Sequence, residues 1–312
     1  VNQIIPHTDT VFQQPWWLEA TAPGTWDAIE IEENGRVIAR LPFVFKKRFG
    51  LRVIGQPQLT QSLGPWIERP VGETPAKTLS REKDLYAKLI ARLPRFDVFQ
   101  QNFAPGVSNW LPFYWQGFSQ TTRYSYVLDG IRDEERTYAG ISKSGRQTIR
   151  HAQKSIEVQV SEDVETVLDL AAKTFGRQNS GLPYDPDLLR HIDDAARRFA
   201  FRRAVIGRDP QGRVHSAAYV VGDQRRAYLL VSGIDPEHRR SGSGNLVHWH
   251  AIREASAFTD TFDFEGSMME PIEDFYRKFG PRQSPYSSVS KRPRLLTAAL
   301  ATASALDPRG RR

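Results

Sequence analysis

Residues 227–265 read AYLLVSGIDPEHRRSGSGNLVHWHAIREASAFTDTFDFE. An apolar run at 227–232 gives way to a polar loop that closes on Arg239-Arg240-Ser241-Gly242-Ser243-Gly244. Apolar residues at helical spacing follow over 245–257, and a second short apolar run covers 261–265. Strand, Gly-rich loop, helix and strand in this order predict a mixed α/β protein. Glycines let backbone N–H groups come close to an anion, and a helix N-terminus adds partial positive charge. The spacing therefore predicts a phosphate cradle made by Arg239, Arg240, Gly242, Ser243, Gly244 and Asn245. The Gly-Ser-Gly on its own would be an ordinary flexible turn, so its place between strand and helix carries the reading.

Upstream, residues 201–207, 214–221 and 226–232 are strand candidates separated by the turns Asp209-Pro210-Gln211-Gly212 and Gly222-Asp223. They predict an antiparallel meander leading into the cradle. The first half repeats this scheme: residues 26–32, the turn Glu33-Asn34-Gly35 and residues 37–45 predict a hairpin, and 78–93 a helix stopped by Pro94. Further strands are expected at 97–101 and 123–128. Gly35-Arg36-Val37 and Gly212-Arg213-Val214 open equivalent hairpin strands, which agrees with a duplicated domain. A length of 312 residues suits two domains, and the divide is expected at 138/139.

Three further segments carry chemistry. Lys143, Arg146, Arg150 and Lys154 fall three, four and four apart, which puts them on one side of a helix whose other face holds Ile141, Ile149, Ala152 and Ile156. This is either a binding stripe or a solvated face. Asp263 and Glu265 stand two apart in a predicted strand, so they share a face, and either could take a proton or serve in buried structural pairing. Residues 272–280, IEDFYRKFG, follow them.

The spacing Arg-x-x-Gly-x-Gly resembles the pyrophosphate-binding loop of the GNAT acyltransferases. The segment ISKSGRQTIRHAQKSIEV, residues 141–158, resembles the opening of the second domain of the FemAB-like family, which has two GNAT-type domains in tandem. Phe262-Asp263-Phe264-Glu265-Gly266 and then Phe275-Tyr276-Arg277-Lys278-Phe279-Gly280 are similar to that family's C-terminal signature, with a shift that leaves its catalytic cation between Arg277 and Lys278. The stretch LPFVFKKRFGLRVIGQPQLTQSLGPW, residues 41–66, also looks like this group. The resemblance implies two tandem GNAT-like domains, 1–138 on the acceptor side and 139–312 on the donor side with a basic tail. It implies amide formation, with acyl-CoA as co-substrate and a nucleotide-linked amine, an amino sugar or cell-wall precursor, as acceptor. Backbone N–H groups of residues 231–233 would hold the oxyanion, Lys278 or Arg277 would act as cation, and Lys46, Lys47, Lys143, Arg146 and Arg150 would meet the acceptor's phosphates. An aminoacyl-tRNA donor, or a non-enzymatic RNA-binding module, are the alternatives.

The absence of Cys removes thiolate nucleophiles, thiolate metal sites and disulfides, and so excludes a ping-pong thioester enzyme. No Gly-x-Ser-x-Gly elbow is present, and His248 and His250 lie on different faces of their helix, which gives no metal pattern. Forty-three Lys and Arg against 36 Asp and Glu give a formal charge of +7, which favours polyanionic ligands such as coenzyme A, nucleotide sugars or tRNA. Trp16, Trp17 and Trp26 are not interleaved with Lys or Arg and are expected in the core rather than stacked on bases. No apolar stretch approaches the ~20 residues of a membrane span. The first ten residues, VNQIIPHTDT, lack the basic and apolar regions of a secretory leader, which predicts a cytoplasmic address.

Overall fold

The computed structural model describes residues 4–176, 181–266 and 268–293; the basic residues Arg294, Arg309, Arg311 and Arg312 of the expected tail lie outside them. In chain order the elements are α1 (Pro15–Thr21), β1 (Trp26–Glu33), β2 (Arg36–Arg48), β3 (Leu51–Gly55), β4 (Trp66–Ile67), α2 (Pro75–Ala91), β5 (Val98–Asn102), α3 (Leu111–Trp115), β6 (Ser119–Asp129) and α4 (Glu134–Gly140). They continue as α5 (Lys143–Ala152), β7 (Glu157–Ser161), α6 (Val164–Gly176), α7 (Pro186–Phe199), β8 (Phe201–Arg208), β9 (Val214–Gly222), β10 (Ala227–Ile234), α8 (Ser243–Ser256), β11 (Thr261–Asp263), α9 (Glu270–Arg277) and β12 (Arg282–Lys291). Two compact units form, one of residues 1–123 with 285–312 and one of 124–284. The contacts thus divide the chain at 123/124 and again at 284/285, where the sequence reading divides it once, at 138/139. The second crossing arises because the end of β12 returns to pair with β5.

Within the first unit, β1, β2 and β3 are antiparallel neighbours, β3 runs parallel to β5, and β12 pairs antiparallel with β5. Within the second, β7, β8, β9 and β10 are antiparallel, and β10 runs parallel to β11, which pairs antiparallel with β6. Both units therefore follow one scheme: an antiparallel meander, a connection containing a helix, and a parallel return strand. The equivalence of β2 with β9 is the one that Gly35-Arg36-Val37 and Gly212-Arg213-Val214 suggest. Trp16 and Trp17 are buried, as expected of core residues.

In the second unit the central strands are buried on consecutive residues, so both of their faces are covered. Ala218, Val220 and Leu229 share a core with Leu246, Val247 and Ile252 of α8 and with Ile149 of α5. Alternate residues meet the other layer: Tyr219 donates its hydroxyl to Asp193 of α7 at 2.8 Å, and Asp193 also pairs with Arg202 of β8. Helix α6 lies so close to β10 that a Cβ on Gly233 would stand 2.3 Å from the backbone carbon of Leu170. Glycine is therefore required at this crossing. We expect Gly233→Ala to push α6 off the sheet and cost about 1–3 kcal/mol, the usual range for overpacking, measured by urea unfolding; an unchanged midpoint would mean that α6 does not pack as described.

Candidate active site

The cradle forms where β10 meets α8. Asp235 ends the strand and caps a 3-10 turn, Pro236–Ser241, by accepting from Glu237 N–H at 2.9 Å, while Lys173 of α6 donates to its other oxygen at 2.6 Å. Gly242, at φ +77°, then starts α8 as an N-cap without a side chain, and the Ser241 hydroxyl accepts from the first N–H of the helix, that of Ser243, at 3.2 Å. The first N–H groups of a helix have no carbonyl partner within it, so the α8 N-terminus keeps donors and positive potential for an anion. Arg239 and Arg240 stand exposed beside it and make no ion pair or hydrogen bond among the described residues.

The structure gives the loop's small residues different roles from those expected. A Cβ on Gly242 would lie 2.8 Å from Thr148 Cγ2 of α5, and one on Gly244 would lie 2.6 Å from Ile234 Cδ1, so both glycines serve packing as well as backbone access. Ser243 turns its hydroxyl inward to Ser216 and gives its N–H to the Ser241 hydroxyl, so the N–H groups of Gly244 and Asn245 are the ones left for a ligand, and the Asn245 side chain is buried. His248, one turn into α8, is buried with Nδ1 2.7 Å from the Gly244 carbonyl and its ring 5.0 Å from that of Phe275 in α9. Burial pushes the imidazole down to about 4, so it is neutral at neutral pH and ties the cradle to α9. No spacing or composition signal marks this role, since the pair His248 and His250 points only to different helix faces.

Beside the cradle the sheet opens. The parallel ladder between β10 and β11 holds only Ala227↔Phe262 and Tyr228↔Asp263, after which β11 ends and β10 continues to Ile234. A bulge between Leu229 and Val231 shifts the β9 register. Beyond Tyr228, every second N–H of β10 turns away from β9 toward an edge that β11 no longer covers. Residues 231–233, the expected oxyanion donors, lie in this stretch.

The two carboxylates are not equivalent neighbours on a strand. The expected strand 261–265 stops at Asp263, and Glu265 adopts φ +59° because the following Gly266, at φ +69°, presses its backbone on β6; a Cβ there would stand 2.1 Å from the Tyr124 carbonyl oxygen. Asp263 is fully buried and matched: it pairs with Arg226 at 2.9 Å, accepts from the Ser125 hydroxyl, and accepts from Glu265 N–H at 2.9 Å. Burial raises its proton affinity and these donors oppose the rise. Glu265 has no such help, since its Oε1 is sealed from solvent without a hydrogen-bond partner. Burial, and next the charge of Asp263, push its carboxyl well above the usual range. The Tyr276 phenol of α9 is raised too, first by burial and then by the charges of Glu265 and Asp263, so it belongs to the same cluster.

The expected cations separate likewise. Arg277 is paired on its own helix with Asp274 and, at 3.8 Å, Glu273. Lys278, at the end of α9, is exposed and its side chain has no partner among the described residues, while its carbonyl accepts from Ser142 N–H at 2.7 Å. In the α5 stripe, Arg146 is half-buried and donates to the carbonyls of Ala139 and Ile141, where it satisfies the end of α4. Lys143 and Arg150 are exposed and unpaired, and Lys154 lies past the end of α5. Lys46 and Lys47, at the end of β2 in the first unit, are exposed.

Residues 141–270, which hold the meander, the bulged strand, the α8 N-terminus and the parallel strand that breaks away, match the Acetyltransferase (GNAT) domain model. The chain carries an acyltransferase domain of the GNAT type in a mixed α/β fold. Over nearly its whole length the fold is similar to that of FemX, at a TM-score of 0.68 and 15% identity, covering 90% of this chain and 92% of that one. It is also similar to the C-terminal domain of a putative lysylphosphatidylglycerol synthetase from Agrobacterium fabrum, at 0.54 and 13%, covering 91% and 89%. A tandem GNAT protein of the clavulanic acid biosynthesis pathway matches at 0.52 and 11%, covering 86% and 84%. No curated protein matches the sequence. Among the described residues no helix is long and apolar enough to cross a membrane.

A carboxyl that binds its proton more tightly folded than unfolded stabilises the protein at pH below its unfolded value, and this contribution is lost as pH rises through the folded value. Glu265 is such a group. We expect Glu265→Gln to match the wild type in acid and to melt about 2–4 °C higher at pH 8, the response of a 150–250-residue domain to ~1 kcal/mol. Melting curves between pH 5 and 8 check this, and parallel curves would place Glu265 in water.

Proposed function

We propose that the chain transfers an acyl group from a coenzyme A thioester to the amine of a nucleotide-linked acceptor, an amino sugar or cell-wall precursor, with the first unit on the acceptor side and the second on the donor side. The observation that carries this reading is Glu265, a half-buried residue whose carboxyl Oε1 is sealed from solvent without a hydrogen-bond partner among the described residues, at the point where β11 breaks away from β10.

The N-terminus of α8, with Arg239 and Arg240, is the site we assign to the donor's pyrophosphate. Glu265 takes a proton from the acceptor's ammonium, and its raised proton affinity suits that task near neutral pH. The freed amine forms a bond to the thioester carbonyl carbon. Backbone N–H groups of β10 past the bulge hold the resulting oxyanion, and collapse breaks the carbon–sulfur bond. The attacking nitrogen gives up its surplus proton as the amide forms and the leaving thiolate takes one up; the Tyr276 phenol in the Glu265 cluster is the relay we favour, receiving the one as it donates the other, so that no phenolate remains. Lys278 is preferred over Arg277 as the cation because Arg277 is already neutralised by Asp274 and Glu273. Lys143 and Arg150, together with Lys46 and Lys47, are the cations left for the acceptor's phosphates, whereas the Arg146 charge is engaged at the end of α4.

Glu265→Gln should lower kcat by about 10²–10⁴ and abolish the acidic limb of the kcat/KM profile. Arg240→Ala should raise the donor's KM and leave kcat nearly unchanged, because a phosphate contact supplies uniform binding. Steady-state kinetics with acyl-CoA and a panel of nucleotide-linked amines tests both. Turnover only with aminoacyl-tRNA would move the donor class to tRNA, and a Glu265→Gln enzyme with wild-type kcat would overturn the base.

A further inference from the structure

The hairpin between β2 and β3 is built around a residue that its own geometry disfavours. Arg48 pairs with Leu51, so the turn is Phe49-Gly50, and both residues have positive φ, +50° and +75°. A two-residue turn of this kind is best served by Asn-Gly or Asp-Gly, because a bulky side chain in the left-handed region clashes with its own backbone. The chain's first hairpin has that sequence, Asn34-Gly35, with φ +52° and +74°. At Phe49 the strain is not offset by packing, since the side chain is 90% exposed.

The surroundings of the ring are cationic. The Arg48 guanidinium lies over it, 5.3 Å from the centroid. Lys46, Lys47 and Arg48 are all exposed, and none makes an ion pair or hydrogen bond among the described residues. Arg52, on the returning strand, is the exception, being held by Asp97 at 2.9 Å. The tip also stands clear of the rest of its sheet: the β1 ladder on β2 ends at Val44, and β3 meets β5 only from Val53.

We propose that this hairpin tip is a peripheral contact for an anionic lipid bilayer surface, with Phe49 entering the headgroup region and Lys46, Lys47 and Arg48 facing lipid phosphates. Point-like ammonium charges around one apolar apex need no fixed geometry in the partner, which suits a fluid headgroup layer. Single-stranded nucleic acid is served less well, because Phe49 offers one ring with a face already covered by Arg48, and successive bases need successive aromatic platforms. This proposal meets the acyltransferase reading only at Lys46 and Lys47, which that reading gives to the acceptor's phosphates; the Phe49 variants leave both lysines in place, so the two readings fail separately.

The test is cosedimentation of the full chain with vesicles of phosphatidylcholine, with and without 30% phosphatidylglycerol, on wild type, Phe49→Asn and Phe49→Gly. Both substitutions suit a positive φ, so each variant should melt no lower than the wild type. The expected result is binding only to the phosphatidylglycerol vesicles, weakened at least ~5-fold in both variants and falling as salt rises from 0.05 to 0.5 M, as contacts with exposed charges do. Absence of vesicle binding by the wild type, equal binding by the folded variants, or Phe49-dependent binding of a labelled oligouridylate in place of vesicles would each overturn it.

Discussion

The close approach of Gly266 to the backbone of β6 is the constraint from which the candidate active site follows. At φ +69°, with no room for a Cβ against the Tyr124 carbonyl, Gly266 pulls the chain out of β11 after Asp263. Were β11 to continue, the β10 N–H groups beyond Tyr228 would be spent on a ladder. Because it stops, β10 keeps an edge that β11 does not cover, its bulge re-aims that edge, and the α8 N-terminus comes next in the chain. A parallel sheet ordinarily binds ligands where neighbouring strands diverge past their carboxyl ends, and here one glycine contact creates the divergence.

The same turn separates the two acidic residues electrostatically. Asp263, still within the ladder, receives the guanidinium of Arg226, a hydroxyl and a backbone N–H, which together offset its burial. Glu265 is carried past those donors and meets burial and a like charge instead. Two carboxyls in one cluster, of which only Asp263 has the Arg226 cation, titrate apart, and Glu265 holds its proton well above the usual carboxylate range. Its cost in stability at high pH is therefore tied to its usefulness as a base.

Much of the fold was legible in residues 201–265, where alternation, turn residues and the Gly-rich loop agree, and the meander and α8 lie where those signals put them, with the Gly-rich loop between strand and helix. The strand at 261–265 was overextended because Phe262 and Phe264 keep the period of a strand, while the backbone contact that ends it involves Tyr124, far away in sequence. Spacing put Arg146 on one helical side with Lys143 and Arg150 and left open whether that side binds or is solvated. Its neighbours at the end of α4 engage it through carbonyl groups, which no side-chain pattern reports. The bulge at Leu229–Val231 has no composition signal, and His248 owes its role to Phe275 and a carbonyl one turn back. Helix α7, by contrast, shows Leu189, Ile192 and Ala196 at helical spacing, so its signal was present and unread.

Positive φ at residues other than glycine sorts the structural from the functional across both units. Asn34 sits in a hairpin turn where its short polar side chain lowers the penalty, so nothing beyond the turn need be invoked. Leu59 is half-buried and recovers part of its strain in contact. Phe49 and Glu265 have less to recover: the first holds its ring in water with only Arg48 over it, and the second is half-buried with one carboxyl oxygen sealed and without a hydrogen-bond partner among the described residues. A bulky residue in the left-handed region costs about 1–2 kcal/mol, and at these two positions the environment of the side chain adds to that cost. A strained backbone combined with an unfavourable side-chain environment persists where the surrounding structure fixes it and the group serves something other than the fold. That logic ties the hairpin tip of the first unit to the broken strand of the second, although their chemistry differs: one presents an aromatic apex among cations, the other a proton acceptor at an open sheet edge.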